Sequence, residues 1–444
     1  MAKRLLRTGF WLRSIVGLAT AGFLIGALLP AVAGGMGLKH HKPAADAAAQ
    51  KPKVTASQPP AFSIPVEPLG FFPPGAFYLG QRESLVSLDF LDENRLLFTF
   101  RAPGLMHRTA NSAADERQIR AEVLTLPQGT METEALWTLR DHDRYVWMLH
   151  DGHFLLRDGD TLKEGSATLD LKPLLQFPGP LIWLEMDPTE QFLVTDSQEP
   201  ATVKAKPNQV GSPATAQVSV TEETASANGQ TDTVMRILRR STGQVMLVSR
   251  VRTTVHLPIN SDGYLETLRG NGRDWVLNLN YFTGGSRVLG KIDSVCEPPI
   301  EFVAKDKALV NTCAAQGGRD LVAMSTEGHR LWDAPLAPTQ IWPLLVRSPD
   351  NSRFARETLT VTHPIDAFAP LSFSDVTGQL VEVFDSARGT LELKAPASPV
   401  LDAGGNMAIS PSGKRVAILN DGAIQVYELP APQSSAPALA NAAP

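Results

Sequence analysis

The chain has 444 residues, 43% of them apolar, and 41 basic against 46 acidic side chains give a net charge of −5. The apolar share, with seven Trp and eighteen Phe, is ample for a large core. The mild negative charge excludes the basic field that nucleic-acid binding requires, so no nucleic-acid partner is expected.

Lys3, Arg4, Arg7 and Arg13 precede an apolar run over 15–32 that only small residues and Thr20 interrupt. The run ends in Pro30-Ala31-Val32-Ala33-Gly34, the small-x-small pattern at which signal peptidases cut. Residues 1–33 are therefore read as a signal peptide, which places the rest of the chain in the periplasm or outside a bacterial cell. The competing reading is an uncleaved anchor in the inner membrane, since about 18 apolar residues are near the minimum that spans a bilayer. No cysteine follows the run and no twin-arginine pair precedes it, so a lipoprotein and the twin-arginine route are not expected. Residues 34–65 are rich in Ala, Pro, Lys and Gln, and read as a linker. His40 and His41 lie within it, with no carboxylate beside them to complete a metal shell.

Beyond the linker an apolar strand repeatedly enters a short polar turn and returns through a second apolar strand. This happens at 88–98, 137–147, 184–194, 268–277, 302–310, 345–355 and 407–417. A hairpin recurring every few tens of residues marks a repeat architecture, and the fold expected over 66–430 is all-β, a seven-bladed β-propeller. Six or eight blades are the alternatives, because 268–277 and 302–310 stand close together. A lone strand at 75–79 is expected to pair with 423–429, which completes a final blade one strand short and closes the ring. Outer hairpins are read at 119–137, 238–248, 323–332 and 373–383, the last three turning at Thr242-Gly243, Glu327-Gly328 and Thr377-Gly378. Residues 197–232 have no apolar period and read as a disordered insertion between the third and fourth blades, and 431–444 as a disordered tail.

Two of the turns, Ser348-Pro349-Asp350-Asn351-Ser352-Arg353 and Ser410-Pro411-Ser412-Gly413-Lys414-Arg415, resemble the S-P-D-G signature of WD40-like and TolB/YVTN-type propeller repeats. In such a turn Pro sets φ, the Ser and Asp side chains accept backbone N–H groups, and Gly or Asn takes the left-handed corner. Residues 325–332 are also similar to the outer hairpin of quinoprotein-type repeats. These resemblances imply a fold and leave activity open.

No catalytic, cofactor-binding or metal-binding residue is assigned, because no H-E-x-x-H, G-x-S-x-G or phosphate loop occurs. Asp141, His142 and Asp143, and Asp158-Gly159-Asp160, fall in expected turns, where Asp and Gly are ordinary residues. His107, His150, His153, His256 and His363 are scattered. Cys296 and Cys313 are either a disulfide or two buried thiols. Trp137, Trp147, Trp183, Trp275, Trp332 and Trp342 are expected to pack between blades. The function expected is a monomeric binding module that takes a protein or glycan partner on a propeller face, with no cofactor, and meets a membrane only through an uncleaved N-terminal helix. The alternative is a lyase, hydrolase or quinoprotein-like oxidoreductase with its site at the axial funnel, where ionisable groups with shifted pKa values would cluster.

Overall fold

The computed structural model describes residues 58–73, 86–102, 116–140, 144–201, 231–251, 254–314, 318–366, 369–401 and 404–431. Residues 1–33, most of the linker, the strand read at 75–79, the Asp141–Asp143 turn, His107 and 432–444 lie outside them, as does the side chain of Trp342.

The described residues form seven sheets arranged as blades. The closing blade opens the chain with β1 (Phe62–Pro65). Blade one follows with β2 (Val86–Asp92), β3 (Arg95–Arg101), β4 (Arg117–Thr125) and β5 (Thr130–Leu139). Blade two has β6 (Val146–Met148), β7 (Phe154–Asp158), β8 (Thr161–Gly165) and β9 (Lys172–Gln176). Blade three has β10 (Leu181–Met186), β11 (Phe192–Pro200), β12 (Thr231–Arg239) and β13 (Val245–Val251). Blade four has only β14 (Gly263–Arg269), β15 (Asp274–Tyr281) and β16 (Ser286–Asp293). Blade five has β17 (Ile300–Ala304), β18 (Lys307–Cys313), β19 (Arg319–Ser325) and β20 (Arg330–Pro335). Blade six has β21 (Gln340–Arg347), β22 (Arg353–Val361), β23 (Val376–Asp385) and β24 (Leu391–Ala397). Blade seven has β25 (Met407–Ile409), β26 (Arg415–Asn420) and β27 (Ala423–Glu428), and β1 is its fourth strand. The protein is a seven-bladed β-propeller.

The two-residue period of a strand explains how one sequence run serves two interfaces. In β3, Leu96, Phe98 and Phe100 pack with Ala417 and Leu419 of blade seven, while Leu97 packs with Tyr145, Val146 and Phe154 of blade two. In β26, Val416 and Ile418 turn to blade six, Ala417 and Leu419 to blade one. Every interface between consecutive blades holds such a core. Trp137, Trp147 and Trp332 belong to these cores, and Trp332 stacks on Phe354 between blades five and six with ring centroids 5.7 Å apart.

The signature turns have the predicted chemistry. Ser348 Oγ accepts the Arg353 N–H at 3.0 Å, and Ser410 Oγ accepts that of Arg415 at 3.1 Å. Asn351 and Gly413 are the left-handed corners, at φ 60° and 68°. Blade three repeats the device with Asp187, whose Oδ1 accepts the Phe192 N–H at 2.7 Å, and with Glu190 at φ 58°. The arginine that ends each signature latches its blade to the next. Fully buried Arg353 donates Nη1–H to the Gly413 carbonyl at 2.8 Å, and Arg415 donates Nη1–H to the Glu93 carbonyl at 2.8 Å.

Several expected elements are corrected. Residues 137–147 are not a hairpin: β5 completes blade one and the chain crosses to β6 in blade two. The pattern misleads because Trp137 and Leu139 bury in the same core as Tyr145 and Val146, from opposite sides. The hairpin read at 373–383 does not turn at Thr377-Gly378; β23 runs through both, and the chain turns after Asp385, with Gly389 at φ 65°. The closing strand is β1, from the stretch read as linker, with Phe62 opposite Val426 and Pro65 opposite Ala423. Ile64 and Val66 supply the reason, since both bury in the core between blades seven and one. Of the insertion read at 197–232, residues 202–230 lie outside the described residues; its two ends belong to blade three rather than to a link between blades, since β11 and β12 pair in register as far as Pro200 and Thr231. Cys296 and Cys313 form a disulfide with Cα atoms 5.7 Å apart, tying the crossover after blade four to the second strand of blade five.

Candidate axial site

The first strand of each blade is the innermost, since β2 lies against β6 on one side and β25 on the other, and β25 against β21. Side chains from these strands and the residues beside them line the axis. Asp89 of blade one, Arg144 just ahead of β6, Glu185 of β10, Glu301 of β17 and Arg347 at the end of β21 act on one another electrostatically there. Five blades thus supply three carboxyls and two guanidiniums to one space.

That space is inside the molecule yet accessible. Asp89, Arg144, Glu185 and Glu301 are enclosed by protein, but Arg144 counts as exposed and the other three as half-buried. Solvent therefore reaches these side chains although protein surrounds them on most sides.

Enclosure shifts the acids. Burial pushes the Glu185 carboxyl up to about 8; the nearby Glu301 adds to the rise and the Arg347 guanidinium opposes it. Burial pushes Glu301 up to about 7 against the pull of Arg347 and Arg144. Asp89 is raised by burial too, moderated by a 2.6 Å hydrogen bond from the Ser87 hydroxyl and by Arg144. Arg144 is fixed over the face of Trp147, 5.4 Å from the ring centroid, and donates Nε–H to the Val146 carbonyl at 3.1 Å. Behind it the Tyr145 hydroxyl shares a 2.8 Å hydrogen bond with Thr99.

One aromatic surface joins the charges. Trp183 shares a face of β10 with Glu185. Its buried indole nitrogen has no hydrogen-bond partner, although the indole N–H lowers the Glu185 pKa a little. The His256 ring meets Trp183 edge to face at 4.0 Å, and burial lowers its pKa, which keeps it neutral. Opposite Trp183 on β11, fully buried Asp196 accepts the Val255 N–H at 2.7 Å through one carboxylate oxygen, while the other oxygen has no partner.

At the end of the axis formed by the turns after the innermost strands, contacts cross between blades that are not neighbours. Arg347 of blade six donates Nη2–H to the Asp187 carbonyl of blade three at 3.0 Å. His150, from the turn after β6, bonds the Glu190 carboxylate of blade three through Nδ1 and the Pro349 carbonyl of blade six through Nε2. The bond to Glu190 raises the imidazole pKa, against the opposing effect of burial. These bonds tie the turns of blades two, three and six together.

The other residues singled out in the sequence lie elsewhere. Asp158 occupies a hairpin turn, where it accepts the Lys163 ammonium at 2.6 Å. His153 faces Asp151, and His363 hydrogen-bonds Thr362 at 3.0 Å. Among the described residues no three His, Cys, Asp or Glu converge as a metal shell. Trp183 departs from the expected packing between blades and stands on the same strand face as Glu185, Trp275 lies in none of the cores between blades and donates its indole N–H to the Ser294 carbonyl at 3.0 Å, and the axial residues themselves were missed. Glu185 carried a signal: it stands two residues before the turn of blade three, where the two signature turns have Val346 and Ala408.

No protein-family model matches the sequence, and no curated protein does. Solved structures are similar in fold. An acylaminoacyl peptidase of Pyrococcus horikoshii is 9% identical over 79% of this chain and 52% of its own, with a TM-score of 0.43. The WD40 β-propeller domain of Doa1 is 9% identical over 83% of this chain and 96% of its own, at 0.40. The uncharacterized protein lmo1340 of Listeria monocytogenes EGD-e is 9% identical over 80% and 97%, at 0.43. The chain thus spans about half the length of the peptidase, 52%.

Proposed function

We propose that this protein is an exported binding propeller of the bacterial envelope or extracellular space, and that it binds a small polar ligand in the axial cavity. The export half rests on the basic, apolar and small-residue succession of residues 1–33. One observation carries the binding half: three carboxyls and two guanidiniums from five blades come under one another's electrostatic influence near the axis, where solvent reaches them and the fold does not ask for them. Desolvating a charge costs several kcal/mol unless something pairs with it, and Val346 and Ala408 serve the same turn position without one. Charged groups with shifted pKa values in a cleft mark a functional site.

Thermal-shift screening of the mature protein against polar metabolites tests this reading, with Glu185→Gln and Arg144→Gln as controls. A ligand that raises Tm in the wild type and loses that effect in both variants supports it; ligands indifferent to both substitutions overturn it. Mass spectrometry of the exported protein is expected to show a chain beginning at Gly34, and an intact residue 1–33 segment overturns cleavage.

A second reading is favoured by Glu185 and Glu301. One carboxyl at about 8 beside another at about 7 is the combination that acid–base catalysis uses near neutral pH. Turnover of a cavity-bound ligand, lost in Glu185→Gln and Glu301→Gln, would convert the binding module into an enzyme.

A further inference from the structure

We infer that the outer edge of blade four receives an extended segment of a partner chain, one whose acidic side chains alternate with apolar ones, and that this segment supplies the strand the blade lacks. The inference is independent of the axial reading and comes from how the blades cover one another. In four blades the turn between the third and fourth strands rests on the fourth strand of the blade before it. Gly129 of blade one lies against Ile64 of β1, Gly243 of blade three against Leu175 of β9, and Gly389 of blade six against the Trp332 ring of β20, each so close that a Cβ would overlap its partner. In blade two the Leu169 carbonyl accepts the indole N–H of Trp137 in β5 at 3.4 Å. Blade four has neither a fourth strand nor such a turn among the described residues. Blade five follows the gap, since its turn at Gly328 rests on the Leu289 carbonyl of β16, a third strand.

Two surfaces therefore lack the cover that this pattern supplies elsewhere. One is the outer edge of β16, which pairs only with β15 among the described residues. The other is the face of β13 turned to blade four, where Leu247 and Val251 are only partly buried. An open edge offers backbone N–H and C=O groups that an extended segment meets with its own. Charged side chains commonly guard such edges, but β16 carries Val288, 61% exposed, more than any other large apolar side chain among the described residues. The exposed charges beside it select the partner: Arg287 and Lys291 are both cationic, while the acid that ends the strand, Asp293, is taken by Arg273 at 2.9 Å. Opposite charges paired across two strands stabilise, and like charges destabilise. Because blades three and five each have four strands, the opening is one strand wide and suits a single extended segment rather than the blade edge of a second copy.

Isothermal titration calorimetry and hydrogen–deuterium exchange on the mature protein test the inference with two synthetic peptides, one of repeated Val-Glu and one of repeated Val-Lys, equal in length. In the free protein the outward amides of β16 are expected to exchange quickly. The Val-Glu peptide is expected to bind and to slow exchange within 286–293, and the Val-Lys peptide at the same concentration is not. The double variant Arg287→Glu/Lys291→Glu should weaken the Val-Glu peptide roughly 10-fold, since each reversal turns a favourable cross-strand pair into a repulsive one. The same variant should gain the Val-Lys peptide. No binding of either peptide to the wild type, equal binding of both, or protection that falls on another strand would overturn the inference. So would β16 amides already protected in the free protein, which would show the edge occupied by this chain or by a second copy; sedimentation distinguishes those two. The wild-type measurements decide even where the variant misfolds, and its melting curve identifies that case.

Discussion

Single side chains in this protein do work that their neighbours in sequence do not announce. Glu357 is the clearest case outside the axis. It is buried in blade six, accepts the Gln379 amide at 2.6 Å, and burial pushes its carboxyl up to about 8. It is therefore neutral at pH 7. A carboxyl whose folded pKa is raised from 4.5 contributes fully below about pH 4.5, and its contribution is lost as pH rises towards 8. Glu357→Gln keeps the shape and the acceptor without the titration. Its melting temperature should match the wild type near pH 4 and exceed it at pH 9 by the equivalent of a few kcal/mol. A variant less stable than wild type at pH 9 would show that the carboxylate form is wanted. Glu185 and Glu301 follow the same physics, and of the three only Glu185 left a trace in the sequence, by standing where the signature turns have Val346 and Ala408. A glutamate in a strand alternates with apolar residues whether it faces water or a cavity, so periodicity alone cannot tell the two apart.

Elements were far more legible than residues, because hairpins state themselves locally. Six of the seven inner hairpins and the seven-blade count follow from apolar runs and turn residues, and the thin fourth blade was already visible as two hairpins crowded together. Failures came where local pattern and long-range pairing part company. The stretch 137–147 has the right alternation but spans two blades, and Thr377-Gly378 is turn-like but extended within β23. The closing strand was the hardest, since only four residues, Phe62–Pro65, mark it within a Pro- and Ala-rich stretch. Its worth can be measured through Ile64, which is 3% exposed and packs on the core shared by blades seven and one. Ile64→Asp places a charge there and should cost about 3 kcal/mol or more by denaturant unfolding. An effect below about 0.5 kcal/mol, normal for a surface site, would mean that β1 adds little to the ring.

At the scale of the molecule, the ring is uneven. Blade four lacks a fourth strand, and the one disulfide among the described residues sits at its border with blade five. Closing a loop over a sequence separation of 17 residues stabilises the fold by about 3 kcal/mol. The double variant Cys296→Ser/Cys313→Ser should lose that amount in denaturant unfolding, and an unchanged midpoint would mean that blade packing alone holds this border. The pairing of β1 with β27 also sets a clock. Gln58 hydrogen-bonds the backbone of Glu428, a separation of 370 residues. At the roughly 5–20 residues per second of protein synthesis, the first strand is made about 20 to 70 s before its neighbour exists. Whatever the order in which the other blades form, closure of the ring through β1 waits for the last strand of the chain to be made.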